Sequence, residues 1–285
     1  MRALLITFLS LALLGAPVAG AAGPETLVAH RGLSGSGSLK YEIPENSIPA
    51  FEWAVAHETD IIDLDVQLSS NGTMVIMHDS TLNRTTNGSG AVRDRTWSYI
   101  RGLWLEIEGI DRDGDGNPDN TPYHPPSLEA ALRYLAPIVK NPGSKTQRIA
   151  LEMKGSGWTQ TRVNALAAKL KTHGLLTGDV CVHAFSAAPL SYAKNAGIPS
   201  RGYVVGSTSS VPSPTTVKAY GNNVFLNYTK ATPANVRAFY NAGIRTWLWT
   251  MDTYVEYDRA LAVGPVYAWV VDDLPEAQKY LAEAN

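Results

Sequence analysis

A TIM (β/α)8 barrel with an insertion after the third strand is the fold this sequence predicts. Two observations carry the barrel. Short apolar runs alternate with amphipathic helical patterns along the chain, as parallel strands joined by crossover helices require. The 285 residues accommodate about eight such units. An open doubly wound sheet is the alternative arrangement of the same alternation. A third observation places the insertion. Residues 80–127 are rich in Asn, Thr, Gly, Asp and Pro and break the rhythm.

The elements follow in order. Arg2 precedes the apolar stretch ALLITFLSLALLGAPVA, which is broken by Gly15 and Pro17 and followed by Ala19-Gly20-Ala21. This reads as a secretory signal peptide over 1–21, cut after Ala21. The barrel domain is then expected over 22–285, outside the cell, and no later segment is long and apolar enough to span a bilayer. Strand candidates are 26–30, 61–66, 74–78, 148–153, 179–185, 201–205, 223–227, 245–250 and 267–272. That is one more than a barrel needs, and 223–227 is the weakest. Asn71-Gly72 predicts a tight turn that sets 61–66 and 74–78 side by side.

SIPAFEWAVAH and SLEAALRYLAPIV predict helices capped by Ser47 and Ser127. TQTRVNALAAKLKTHG, PLSYAKNAG, TPANVRAFYNAG and TYVEYDRALAVG each run as a helix into a glycine. GSTSSVPSPTT (206–216) reads as a flexible surface loop. The single cysteine, Cys181, has no internal disulfide partner and sits in an apolar run, so it reads as buried filler. The 24 basic residues nearly balance the 26 acidic ones, with no long run of one sign, so a nucleic-acid or polybasic membrane footprint is excluded.

The chemistry gathers at predicted strand ends. The run TLVAHRG delivers His30 and Arg31 at one tip, and MVIMHDST delivers His78 at another. Two histidines so placed can divide general acid and general base work. Side chains two apart on a strand share a face, which pairs Asp63 with Asp65 and Glu152 with Lys154. Buried carboxylates are costly without compensation. Three of them at a barrel mouth suggest a hard divalent cation, while Lys154 could face a phosphate or neutralise the cluster.

A second pattern lies in the insertion. In DRDGDGNPDN, residues Asp111, Asp113, Asp115, Asn117 and Asp119 alternate, with Gly116 in sixth place, like the front of an EF-hand-type calcium loop. Position twelve is Pro122, so the usual bidentate Glu is missing. The loop 111–122 is expected to hold a second, structural Ca2+.

AHRG, PENSIPAFEWAV and DLDVQLSSNGTMVIMHDSTLNRTTNGSG together resemble the glycerophosphodiester phosphodiesterase family. The resemblance continues through LEMK, LWTMD (248–252) and VVDDLPE (270–276) and covers nearly all of the chain beyond the leader. It implies a TIM barrel with an insertion after the histidine strand. It implies His30 and His78 as the acid-base pair, and Arg31 and Lys154 on the substrate phosphate. It further implies Glu45, Asp63, Asp65 and Glu152 around Ca2+ or Mg2+, Trp249 at the rim, and Asp273 as the acidic residue of the last strand's motif. Two departures stand out. The family commonly has Glu where this chain has Asp63, and the stretch 32–43 is longer than usual.

The expected activity is a secreted, metal-dependent hydrolysis of small-molecule glycerophosphodiesters to an alcohol and sn-glycerol 3-phosphate. Arg31 would grip the phosphate and Gly32 would let the backbone pass close to it. Water and a neighbouring glycerol hydroxyl both remain open as the attacking group. A phospholipase D-like action on lysophospholipid is the alternative enzyme, and a calcium-binding barrel module the alternative without catalysis. A glycosidase built on paired carboxylates would leave both histidines and Arg31 without a role.

Overall fold

The computed structural model describes residues 24, 26–141 and 147–284, so the expected leader over 1–21 lies outside the described residues. Nine strands form among them: β1 Thr26–Ala29, β2 Ile61–Leu68, β3 Met74–Ile76, β4 Arg148–Met153, β5 Val180–Ala184, β6 Ser200–Val205, β7 Asn223–Asn227, β8 Arg245–Met251 and β9 Ala268–Val271. Eight are parallel neighbours in the order β1-β9-β8-β7-β6-β5-β4-β2. The pairing of Val28 with Ile61 and Ala29 with Ile62 closes the ring, so the fold is a TIM barrel and the open-sheet alternative falls away.

The superfluous strand is β3, whereas 223–227 is a full barrel strand paired on both sides. β3 lies antiparallel to the end of β2, Val66 opposite Ile76 and Leu68 opposite Met74. The turn at Asn71-Gly72 folds it back because Gly72 takes φ 81, open to glycine at no steric cost. The insertion therefore follows the third strand in chain order but the second strand of the barrel.

The six predicted helices form. They are α2 Ile48–Ala56, α4 Leu128–Lys140, α5 Gln160–Thr172, α6 Ala187–Asn195, α8 Pro233–Asn241 and α9 Tyr254–Ala262. Ser47 and Ser127 cap α2 and α4 by accepting the amides of Ala50 and Ala130. Two stretches read as loops also carry helix. The long 32–43 stretch winds into α1 Gly35–Tyr41, and 206–216 runs into α7 Pro214–Tyr220, where Ser213 caps and Pro214 opens the first turn. α10 Leu274–Ala284 follows the last strand.

Alternate side chains of each strand split two cores. Val28, Ile61, Ala150, Cys181, Phe225, Trp247 and Val270 fill the barrel. The residues between them, such as Ile62, Leu64, Leu151 and Val182, pack outward on the helices. Cys181 is buried and free, as expected, and burial pushes its thiol up to about 12, which keeps it protonated and inert. Leu82, Val92, Ile100 and Leu103 of the insertion pack with Val75 and Met77 of the β3 segment in a small separate core. The insertion includes the short helix α3 Trp97–Ile100.

Candidate active site

The inward residues change character at the C-terminal ends of the strands, the end where barrels of this kind do chemistry. Ile61 on β2 is followed on the same face by Asp63 and Asp65, and Ala150 on β4 by Glu152 and Lys154. Cys181 on β5 is followed by His183. The register sets Asp65 beside Glu152 and Glu152 beside His183. Strand parity thus gathers these groups into one cleft.

His30 follows the last residue of β1. Its Nδ1 donates to Asp272 Oδ1 at 2.5 Å, and Ser34 Oγ donates to the same oxygen at 2.5 Å. Burial works to raise the Asp272 pKa, but the hydrogen bonds from His30 and Ser34 and the Arg31 charge hold it below the carboxylate range, so it accepts only. The His30 proton therefore belongs on Nδ1, leaving the lone pair on Nε2. Burial first, and the Arg31 charge second, lower the His30 pKa against the pull of Asp272, so the ring is neutral at neutral pH.

His78, beyond β3, repeats the device. Its Nδ1 sits 2.7 Å from Asp79 Oδ1. Arg84 Nε donates to Asp79 Oδ2 at 2.7 Å. Gln67 fixes this turn by donating to the carbonyls of His78 and Asp79.

Arg31 takes a left-handed backbone, φ 55, which turns its side chain back into the cleft. Its Nη1 donates to Glu45 at 2.9 Å, and its buried Nε lies 3.5 Å from Asp65 without a hydrogen bond. Gly32, at φ 75, makes room for α2: a Cβ there would meet Ala50 and Phe51 at 2.8 Å. Glu45 lies between two guanidiniums, accepting from Arg31 and from Arg84 Nη2 at 2.7 Å. Burial would raise its pKa, but Arg31 and Arg84 hold it low.

The expected metal carboxylates divide in two. Glu45 is spent on arginines. Asp65 accepts from Asn46 Nδ2 at 2.8 Å and stands 3.5 Å from the Lys154 ammonium, which with Arg31 overcomes burial and keeps it ionised. Lys154 also reaches Glu152 at 2.9 Å, so in this state it neutralises the cluster. Asp63 and Glu152 are under-compensated. Burial, then the charges of Asp65 and Glu152, push Asp63 well above its ordinary value. Burial, only partly offset by Lys154, pushes Glu152 up to about 7. Glu152 Oε1 is buried with no hydrogen-bond partner. Excess buried carboxylate with an orphaned oxygen suits a divalent cation.

Trp249 lines the cleft as expected, edge-on to Phe185 at 5.7 Å. A cavity of about 420 Å3 opens beside it between α1 and the insertion, bounded by His30, Arg31, Leu39, Arg84, Glu106 and Asp272.

Several residues here were not read from sequence. Asp272, not Asp273, partners His30. Asp273 instead binds Lys40 at 2.9 Å and accepts the Glu276 amide at the start of α10. Arg84, Asn46 and Gln67 lie in the quoted motifs but carry no isolated signal. His183 follows Cys181 by two, so strand parity could have found it.

The acidic loop is separate from the cleft. Asp111, Asp113 and Asp115 bring carboxylate oxygens within 4.8 Å of one another at the surface. Their oxygens also accept loop amides, Gly114 and Gly116 on Asp111 at 2.8 and 3.0 Å. Asn117 Nδ2 donates to Asp115 at 3.2 Å. Asp119 turns away to Arg112, 3.0 Å distant.

Residues 30–276 match the model of the glycerophosphoryl diester phosphodiesterase family. The chain belongs to that family. A glycerophosphodiester phosphodiesterase of Bacillus subtilis is 31% identical over 168 residues, covering 56% of this chain and 52% of that protein. One from Caldanaerobacter subterraneus is 46% identical over 77 residues, covering 27% of this chain and 29% of that protein. The chain thus spans about half or less of the length of these curated relatives. An Oleispira antarctica phosphodiesterase, solved with the product sn-glycerol-3-phosphate, superposes with TM-score 0.73 at 21% identity. That match covers 90% of this chain and 96% of the other, and shows the shared fold.

Proposed function

We propose that this family member hydrolyses glycerophosphodiesters to an alcohol and sn-glycerol 3-phosphate at the barrel mouth. The observation that carries the reading is the pair of imidazoles in one cleft, each with Nδ1 held by a carboxylate, beside the Arg31 guanidinium. The product bound by the Oleispira relative is the one this reading expects.

The phosphodiester would lie across Arg31, whose planar fork suits non-bridging oxygens. His30, neutral with its lone pair on Nε2, takes the proton of the attacking oxygen, whether that oxygen is water's or a glycerol hydroxyl's. His78, oriented by Asp79, protonates the departing alkoxide. Asp63, Asp65 and Glu152 would hold a divalent cation, Ca2+ or Mg2+ by the hardness of their oxygens. When bound, that ion would polarise a phosphoryl oxygen and offset developing charge. Lys154 would then be released from the carboxylates toward the phosphate.

The exposed surface of Leu39 (47%) and Phe185 (43%) near the mouth supports a second reading, phospholipase D-like action on lysophospholipid. Export rests on the leader expected over 1–21, and the surface Asp loop is proposed as a structural Ca2+ site. Among the described residues no helix is long and apolar enough to cross a membrane.

The test incubates purified protein with a panel of glycerophosphodiesters and lysophospholipids, with and without chelator, and identifies products. sn-Glycerol 3-phosphate from the deacylated substrates, lost on chelation, is expected. Activity confined to acylated substrates would favour the second reading, and no phosphodiester cleavage would sink both.

A further inference from the structure

Arg84 stands in the insertion, outside the barrel strands, yet its guanidinium reaches both halves of the site. Nε donates to Asp79 Oδ2 at 2.7 Å and Nη2 to Asp79 Oδ1 at 3.0 Å. Nη2 also donates to Glu45 Oε1 at 2.7 Å, and Nη1 to Glu45 Oε2 at 3.2 Å. Each carboxylate is therefore held through both of its oxygens. Asp79 is the carboxylate on His78 Nδ1, and Glu45 is the one on Arg31 Nη1. One planar side chain thus closes the run His78, Asp79, Arg84, Glu45, Arg31.

The backbone is fixed to present it. Leu82, fully buried, donates its amide to the Gly90 carbonyl at 3.0 Å. Its carbonyl accepts from the Thr86 amide at 3.1 Å and the Thr86 hydroxyl at 2.7 Å. Arg84 lies inside that turn. Its side chain is 29% exposed and that of Glu45 only 9%, so these are not the freely solvated pairs that contribute little. A lysine cannot do the same work, because an ammonium has no planar fork to span two carboxylates. Four of the five N–H donors of the guanidinium are spent on carboxylates, so the group is committed to orienting them. Asp79 bound to His78 alone could turn, and the imidazole would turn with it.

We propose that Arg84 is a positioning residue that locks Asp79, and through it His78, in register with the Arg31 phosphate clamp. The inference rests on the reading of His78 as the acid that protonates the departing alkoxide. It gives the insertion a share in the chemistry, exerted through the alignment of a proton donor on the barrel side.

The experiment compares two diesters of sn-glycerol 3-phosphate that differ only in the departing group, ethanol or 4-nitrophenol. An alkoxide needs a proton to leave, and 4-nitrophenolate does not. Wild type, Arg84→Lys, Arg84→Gln and His78→Ala are assayed as full chains with divalent cation present, each with its fold checked by circular dichroism. Arg84→Lys is expected to lower kcat for the ethyl ester by about 10–100-fold and to slow the nitrophenyl ester far less. Arg84→Gln should show the same split, and it decides the matter if the lysine variant does not fold. In a His78→Ala background, Arg84→Lys should cost nothing further on the ethyl ester. Equal losses on both esters would overturn the proposal, because a general structural role or a direct phosphate contact slows both alike. Undiminished turnover of the ethyl ester in the folded Arg84 variants would overturn it too. If folded His78→Ala itself slows both esters equally, His78 is not the acid, and that reading falls and the proposal with it.

Discussion

At the scale of single residues the site consists of pairs that restrain one another. His30 works only as the tautomer Asp272 imposes, and Arg31 is aimed by Glu45 and by its own left-handed backbone. Replacing His30 by Ala should lower turnover by about two to four orders of magnitude with the fold intact. Asp272→Asn should reproduce much of that loss, because an amide no longer enforces the Nδ1 proton, while Asp273→Asn stays near wild type. Steady-state rates alongside circular dichroism check this, and a reversed order of the two variants would refute the pairing. The histidines, the arginine and the acidic pairs were legible because they stand out at strand ends. The choice of Asp272 was not. Val270 and Val271 are both apolar, so the sequence does not say which faces inward; the barrel does, with Val270 inside and Val271 against the helices.

At the scale of elements, strand parity and helix caps were readable, and loops were not. Segment 223–227 looked weak because Asn223 and Asn227 bracket only three apolar residues. Burial on both faces rescues it, and Asn223 accepts the indole of Trp247 at 3.0 Å. α1 was hidden by the Gly and Ser residues that disfavour helix, and Gly37 is required because a Cβ would strike the Asp272 carbonyl at 2.4 Å. Gly202 has a comparable role between β5 and β7. Gly202→Ala should cost about 1–3 kcal/mol by overpacking, read as a lower denaturant midpoint. An unchanged midpoint would show that Phe225 and His183 relax freely. In the insertion, Asp111→Asn/Asp113→Asn should make 80–127 easier to cleave by protease in millimolar Ca2+, with turnover falling less than in Glu152→Gln. Unchanged cleavage with full loss of activity would give the loop a catalytic part.

At the scale of the whole molecule, the closed barrel converts three strand ends into one charge cluster whose stability depends on pH and on a cation. Burial raises Glu152 from 4.5 to about 7. A raised carboxyl binds its proton more tightly folded than unfolded. Its charge therefore destabilises the metal-free fold progressively as pH rises from about 4.5 to about 7. Glu152→Gln removes that charge. Without metal the variant should match wild type below pH 4.5 and melt higher than wild type at pH 7 and above. With a divalent cation bound only to the folded form, the order should reverse. Melting curves across that range, with chelator and with cation, test both signs, and a pH-independent difference would contradict the charge argument. The barrel could be anticipated because alternation is a property of the whole chain; the balance of its buried charges could not, because it depends on which oxygens meet which nitrogens across strands. The most direct measurement is the initial rate of sn-glycerol 3-phosphate release from a glycerophosphodiester by wild type, by wild type in chelator and by folded His30→Ala. Release by the first and near-complete loss in the other two are the expected result. Equal rates in all three would contradict it.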